Sequence, residues 1–426
     1  MDAAQRIRPE RRPAFSTNRR VGPKGEETHA RLLDAGLAVL GEAGYHGARV
    51  EAIAERAGCS RPTFYQYFAD KVDFFFHLAS RVAGEMGALA TALPRIDRGR
   101  RSRDQLRDWL ARFASLRSRY APVFRFEALL RSDPRIARGS EARVLGTGRV
   151  IATALEAPLP TSVPLVYHGA LVFSTISEAF GAAGKALTRD RLVEGAADWM
   201  LRCFLGTPPE AATTLPVHRA AGPTGPRRVA ARGSPLLLPA LRGKAARSRA
   251  RLLEAARDVF GNLGYEGTRV DDIASAASLS HGAFYRYFSG KEEIFREVAT
   301  PAVEDVLVLL EELPHPRGGL HAWSRRLYQT YAIHGGLFSA WAGSEPARAA
   351  LAPELALEIG AAVEAALGAR GFGDLPVDAL LLLSHVEQAP YIARSYPRLP
   401  QADAVAATGE ILERGFFGVG SVAPAG

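Results

Sequence analysis

Apolar residues return along this chain at helical spacing. Leu32, Leu33, Ala35, Leu37, Val39 and Leu40 keep the rhythm of one helix face, and Gly41 and Gly44 close it. Val50, Ile53, Ala54 and Ala57 predict a second helix over Val50–Ala57. Gly58-Cys59-Ser60 then reads as a tight turn. Ser60 suits an N-cap and Pro62 the first turn of a third short helix, Arg61–Phe68. A fourth, longer helix begins at Asp70 or Lys71. Two short helices joined by a three- or four-residue turn follow the helix-turn-helix plan. Further helices break at Pro94, Pro134 and Leu159-Pro160, and two end the first half, Pro164–Ala183 and Thr188–Phe204. The second half breaks at Pro314, Pro346 and Pro353 and ends in Val377–Arg394 and Ala402–Phe417. Strand-type alternation is scarce, so the expected fold class is all-α.

The pattern occurs twice. Shifted by 220 residues, 24–80 aligns with 244–300 without a gap, and 24 of the 57 positions are identical. A duplicated module is the expectation, since two copies are too few for a solenoid. In the third helix, Phe64 and Phe68 share one side and anchor it in a core, while Pro62, Thr63 and Gln66 fall opposite. Such a helix suits the major groove, where its N-terminal residues meet base edges. Comparing SRPTFYQYF with SHGAFYRYF divides the positions by task. Ser60/Ser280, Phe64/Phe284, Tyr65/Tyr285, Tyr67/Tyr287 and Phe68/Phe288 are identical: the cap, the anchors and candidate phosphate contacts. Arg61, Pro62, Thr63 and Gln66 become His281, Gly282, Ala283 and Arg286. These eight are the expected base readers, and Arg49, Tyr65, Tyr67 and Lys71 with Arg269, Tyr285, Tyr287 and Lys291 the expected phosphate contacts. Phosphate contacts position a protein while base contacts specify the site, so the two copies are expected to dock on different half-sites. Gln66 suits adenine, Arg286 guanine, and Thr63 and Ala283 thymine methyls. The operator expected is asymmetric.

The run Gly-Tyr-x-Gly-x-x-Val-x-x-Ile-Ala-x-x-Ala, then Ser-x-x-x-Phe-Tyr-x-Tyr-Phe-x-x-Lys, stands at Gly44–Lys71 and again at Gly264–Lys291. It resembles the DNA-binding domain of TetR/AcrR-family transcriptional regulators over roughly 60 residues per copy. The resemblance implies two TetR-like units fused in tandem, each with an N-terminal DNA-binding domain and a C-terminal helical effector-binding and dimerisation domain. The expected layout is a basic arm (1–24), DNA-binding domains at 25–80 and 244–300, helical bodies at 81–206 and 301–418, a linker at 207–243 and a tail at 419–426. The partners implied are a double-stranded DNA operator and a small apolar effector, with repression the expected sign and no cofactor. Trp109, Phe113, Phe124, Tyr167, His168, Trp323, Tyr331, Trp341 and His385 are the candidates to line effector pockets, against the plainer expectation of core packing. The chain departs from the family pattern in places. Ala48 stands where the second helix is often capped by Thr, which copy two has as Thr268. Pro62 replaces a usual Gly, and Ser278-Leu279 replaces Gly58-Cys59, leaving the second turn without its customary Gly. The apolar faces of the last helices (Leu171, Val172, Ile176, Phe180, Val193, Trp199; Leu380, Leu383, Val405, Ile411) need partners. The linker spans roughly 33 Å on average, against about 34–36 Å between successive major grooves. That reach leaves open an intramolecular pseudo-dimer and a homodimer, with the pseudo-dimer favoured.

Charge sharpens this picture. The net charge is +9, yet residues 1–24 carry +5 and 207–250 carry +7, so the rest is slightly acidic. The excess lies in two segments ahead of the two modules, where it can track phosphates. Both are rich in breakers, as in Thr207-Pro208-Pro209. Only five of the 54 basic residues are Lys, and Ala, Gly and Pro are abundant, a bias of GC-rich bacterial genomes. Cys59 and Cys203 are too few for a disulfide framework or a four-thiolate zinc site. No uninterrupted apolar run suggests a membrane span and the N-terminus has no signal-like core, so a cytoplasmic location is expected. HExxH, CxxC, GxSxG and phosphate-cradling loops do not occur, and Gly146-Thr147-Gly148 is too short for a nucleotide fingerprint, so no enzyme is expected. The competing expectation is a ligand-independent architectural DNA-binding protein.

Overall fold

The computed structural model describes residues 23–97, 99–127, 133–155, 165–182, 187–206, 243–313, 318–341, 353–368, 373–395 and 400–418, with Leu130, Ala347 and Ala350 between them. The basic arm, the linker and the C-terminal tail lie outside these residues. Every regular element among the described residues is helical. The chain divides into two compact units, one holding the residues up to Met86 with Ser118–Ser140, the other Gly87–Arg117 with the chain from Glu141 onward.

The first unit contains α1 (Pro23–Gly47), α2 (Val50–Arg56), α3 (Arg61–Tyr67), most of α4 (Lys71–Thr91), α6 (Ala121–Glu127) and the start of α7 (Pro134–Ala154). Its core is Leu32, Leu40, Ile53, Phe64, Phe68, Phe74, Phe75 and Leu78, all buried. Burying side chains of this size is the main source of stability here, at about 1.5–3 kcal/mol each. α1 is broken at Gly44, whose φ of 68° is open to glycine without strain, and the chain turns there toward α2. Gly36 lies beneath Phe74; a Cβ there would stand 2.1 Å from the ring. Asp73 ties the unit together. Its carboxylate accepts from Ala69 N at 2.9 Å, ahead of α4, and from Arg135 at 2.8 Å, at the start of α7.

The second unit holds α5 (Arg100–Arg119) up to Arg117, most of α7, α8 (Leu165–Ala182) and α9 (Arg189–Leu205) from the first repeat. From the second repeat come α10 (Lys244–Gly267), α11 (Val270–Ala276), α12 (His281–Phe284), α13 (Lys291–Glu312), α14 (Gly319–Trp341), α15 (Pro353–Gly368), α16 (Leu375–Ser395) and α17 (Gln401–Ile411), which a π-helical turn extends over Leu412–Phe417. The repeat runs past the helix-turn-helix modules. Trp109 Nε1 donates to Leu89 O at 2.7 Å, and Trp323 Nε1 to Leu309 O at 2.7 Å, so an indole caps the end of the fourth helix in each copy. The acceptors keep the 220-residue spacing; the donors are 214 apart, because the second connection is six residues shorter. Gly148 is where α7 crosses α8: a Cβ there would meet Ala170 N at 2.3 Å, and one on Gly169 would meet Gly148 O at 2.0 Å. Within Gly146-Thr147-Gly148, it is Gly148 that makes this crossing, while a Cβ on Gly146 would meet nothing within 4 Å.

The closing helices of the two repeats pack on one another, α8 and α9 against α16, α17 and the π-helical turn. Leu171, Val172, Ile176, Val193, Trp199, Val405 and Ile411 are buried as expected, while Phe180 is half-buried. On α16 the expected phase is off. Leu380 and Leu383 are half-buried, and Val377, Leu381, Leu382, His385, Val386 and Ala389 take the core. A helix apolar on nearly every side gives periodicity little to select among.

Candidate nucleic-acid interface

The third helices of the two modules are built on the same frame. Ser60 Oγ accepts from Thr63 N at 3.3 Å and Ser280 Oγ from Ala283 N at 3.2 Å, so each helix has a side-chain N-cap. Phe64, Phe68, Phe284 and Phe288 are buried and fix the roll of the helix. The turn before each needs a left-handed residue. Gly58 supplies it with φ 65°; in copy two Ser278 adopts φ 51°, the sole left-handed non-glycine among the described residues. The missing Gly therefore leaves the turn intact at a cost of about 1–2 kcal/mol. α3 spans seven residues; α12 spans four and continues as turns to Tyr287.

Arg61, Pro62 and Gln66 are exposed, as are His281, Gly282 and Arg286. Thr63 is half-buried, its hydroxyl 2.9 Å from that of Ser60. Ala283 corrects the expectation: its methyl is buried at 4% exposure, because the first turn of α12 lies on the core, so it faces no base edge. Each module also holds the residue after its cap through a carboxylate from the second helix. Arg61 Nε lies 2.9 Å from Glu51 and stacks over Tyr65, and His281 Nδ1 pairs with Asp271, the residue equivalent to Glu51. The sequence signal for this was an acid repeated at 51 and 271, and sequence reasoning missed it.

Among the expected phosphate contacts, Arg49 and Arg269 are exposed at the N-caps of α2 and α11. Tyr65 and Tyr285 are exposed at 38% and 49%, and Tyr67 and Tyr287 are half-buried. The lysines are turned inward. Lys71 Nζ donates to Tyr45 O at 2.7 Å and to Ala48 O at 3.4 Å, and lies 4.3 Å from the Tyr45 ring centroid. Lys291 repeats this with Tyr265 O at 2.9 Å and its ring at 4.4 Å. Burial pulls both ammonium groups below their usual range, and it pushes the Tyr45 phenol up to about 12. These lysines close the carboxyl end of the first helix of each module, a structural task that the sequence reading did not give them. Thr268 is similar: its hydroxyl donates to Gly264 O at 2.7 Å, and Asp272 caps α11 by accepting from Arg269 N at 2.8 Å.

The candidate pocket residues do not converge. Trp109 and Phe113 stack with ring centroids 5.9 Å apart, and Phe113 packs on Phe173 and Phe180. Trp109, Phe113, His168, Trp323 and His385 are wholly buried packing residues. Tyr167 is half-buried on α8 and Phe124 half-buried on α6. The Trp341 side chain lies outside the described residues. Tyr331 lines a cavity with Val306, Leu327, Phe338, Ile359, Leu383, Val386 and Glu387. Its volume is about 20 Å³ and its lining is mostly apolar. Among the described residues no three His, Cys, Asp or Glu are grouped to hold a metal, and no helix is long and apolar enough to cross a membrane.

Two short helices, a capped turn and an anchored, exposed third helix, present twice, define helix-turn-helix modules. Both match one family model, the bacterial regulatory proteins of the tetR family, at residues 32–78 and 252–298. The chain therefore carries two DNA-binding domains of the tetR family type in tandem. Curated relatives include the HTH-type transcriptional activator FasR of Mycolicibacterium smegmatis, 36% identical over 89 residues, 20% of this chain and 41% of that protein. They also include the HTH-type transcriptional repressor SCO4008 of Streptomyces coelicolor, 30% identical over 109 residues, 25% of this chain and 55% of that protein. A solved TetR-family regulator from Mesorhizobium loti superposes on 43% of this chain and 98% of its own, at 18% identity and a TM-score of 0.35. The chain spans roughly two fifths to just over half the length of these curated relatives.

Proposed function

We propose that this protein is a DNA-binding transcriptional regulator, a repressor by preference, that reads an asymmetric operator through two different recognition helices. The observation that carries the reading is the pair of third helices. Their caps and anchors match, while the exposed positions differ: Arg61, Pro62 and Gln66 against His281, Gly282 and Arg286. Arg49, Tyr65 and Tyr67, with Arg269, Tyr285 and Tyr287, hold phosphates in this reading. The lysines support the modules from inside. The packed closing helices support an intramolecular pseudo-dimer, so that one chain presents both readers. A small apolar effector bound in a helical body then biases the operator-competent arrangement, which requires unequal affinity for the two arrangements. A footprint of the full chain tests the assignment. Gln66→Ala is expected to relax specificity in one half-site and Arg286→Ala in the other, each base contact carrying about 1–3 kcal/mol. Equal loss at both half-sites from either variant contradicts it.

A second reading drops the effector and keeps the DNA. The burial of Trp109, Phe113, His168, Trp323 and His385 in the packed core favours it. Thermal-shift screening with apolar compounds, followed by operator release, separates the two. Compounds that raise the melting temperature and change operator affinity support a sensor, and their absence across the screen supports the architectural reading.

A further inference from the structure

The seam between the two repeats joins surfaces that match in shape and differ in charge. At a spacing of 210 residues, Ser174–Ala179 of α8 aligns with Ser384–Ala389 of α16. The contacts obey the same spacing. Thr175 Oγ1 lies 3.0 Å from His385 Nδ1, and Gln388 Nε2 donates to Glu178 at 3.4 Å. Equivalent residues that face each other mark a local pseudo-twofold axis. At a spacing of 212, Asp198–Gly206 aligns with Glu410–Gly418, which makes Arg202 the counterpart of Arg414 and Gly195 that of Ala407. Both arginines reach across: Arg202 Nε donates to Gly415 O at 2.9 Å, and Arg414 Nη1 to Phe204 O at 3.3 Å.

The symmetry stops at their counter-ions. Arg202 meets Asp378 at 2.7 Å, the two side chains being 7% and 1% exposed. The counterpart of Asp378 is His168, buried and neutral, and Arg414 takes its carboxylate from Glu410 on its own helix. Asp198, the counterpart of Glu410, is engaged by Arg103. Two copies of the first repeat would therefore bury both Arg202 side chains opposite histidine, and would set Glu178 against Glu178. A buried guanidinium without a carboxylate is strongly unfavourable. Two copies of the second repeat meet a steric obstacle instead. A Cβ at Gly195 would stand 2.6 Å from Val377 Cγ1. In a pair of second repeats Ala407, which has a Cβ, takes the place of Gly195, and His385 meets His385.

We infer that the bundle is keyed: the first repeat accepts the second and rejects its own copy, through Arg202 with Asp378, Glu178 with Gln388, and Gly195 against Val377. This rests on the regulator's pseudo-dimeric reading and adds which halves pair and why. It gives negative selection against homodimers that would carry two identical readers.

The test uses the full chain with Cys59→Ser, to which Thr175→Cys and His385→Cys are added singly and together before mild oxidation. The expected result is a disulfide in the double variant alone, on a band that remains at the 45.8 kDa of one chain. A covalent dimer from Thr175→Cys alone, or from His385→Cys alone, overturns the keying. So does a double variant that is linked neither by oxidation nor by a short bis-thiol crosslinker, since Thr175 Oγ1 and His385 Nδ1 lie 3.0 Å apart. A disulfide that forms only in the double variant and only between chains upholds the keying and refutes the single-chain pseudo-dimer. Operator binding is measured separately and tests the DNA-binding reading, whichever pairing of the repeats is found.

Discussion

The Arg202–Asp378 pair makes the most demanding test of the seam. Asp378→Asn removes one charge and leaves the guanidinium at 7% exposure, with Gly415 O among its acceptors in the seam. Breaking one side of a buried pair costs about 3–5 kcal/mol, because the surviving charge is neither solvated nor matched. Replacing both sides, Arg202→Met with Asp378→Leu, removes the desolvation penalty along with the attraction and is expected to be neutral or stabilising by about 1–4 kcal/mol. The assay is urea unfolding followed by tryptophan fluorescence. Trp199 reports locally, since it packs on Phe416 in the same seam with ring centroids 5.5 Å apart. With a urea slope of about 3 kcal/mol/M, the single variant is expected to lower the midpoint by about 1 M or more. The double variant should recover the wild-type midpoint or exceed it. A single variant within about 0.2 M of wild type, or a double variant no better than the single, refutes the argument that this charge pair sits in a low-dielectric seam.

Three further outcomes follow from separate parts of the molecule. Ser278→Gly is expected to stabilise the second module by up to about 1 kcal/mol, relief of a left-handed serine less the entropy glycine adds to the unfolded chain; Gly58→Ala should destabilise the first through its φ alone, since no atom lies within 4 Å of the added Cβ. Paired denaturation curves read both, and a destabilised Ser278→Gly contradicts the strain. Burial lowers the folded pKa of His168 to about 3 and of His385 to about 4. The unfolded chain takes up those protons first as pH falls, so stability is full above about 6.5 and declines steadily toward pH 4. Urea midpoints at pH 7.5 and 5.5 check the sign, and His385→Gln should flatten the difference; an unchanged midpoint refutes it. Deleting residues 1–20 removes four or more phosphate-tracking charges of the arm and should flatten the log-affinity against log-salt slope. An unchanged slope makes the arm a bystander.

How far the sequence could be read depended on how local the determining interaction is. Ser60 and Ser280 were legible because an N-cap acts over three residues, and Phe64 and Phe68 because one helix turn sets their face. The duplication was legible at 44–71 and 264–291, where side chains are shared. It was not legible at Trp109 and Trp323, since the equivalence lies in which carbonyl each indole caps, and a six-residue difference in the connection hides it. Lys71 and Lys291 looked like free cations at the start of a helix; their partners, the carbonyls of Tyr45 and Tyr265, lie 26 residues upstream. Ala283 looked groove-facing because a helical wheel places it opposite Phe288, but α12 is one turn long and tilts that methyl onto the core. Aromatic richness suggested pockets, and close packing consumed most of it. The buried Arg202 and Asp378 are 176 residues apart, and no pattern along the chain joins them.

The central claim is that one chain carries two different readers of one operator. Selection of bound duplexes from random DNA with the purified full-length protein tests it directly. The account predicts two half-sites of different sequence at fixed spacing and in fixed order. Recovery of a strict palindrome would contradict it.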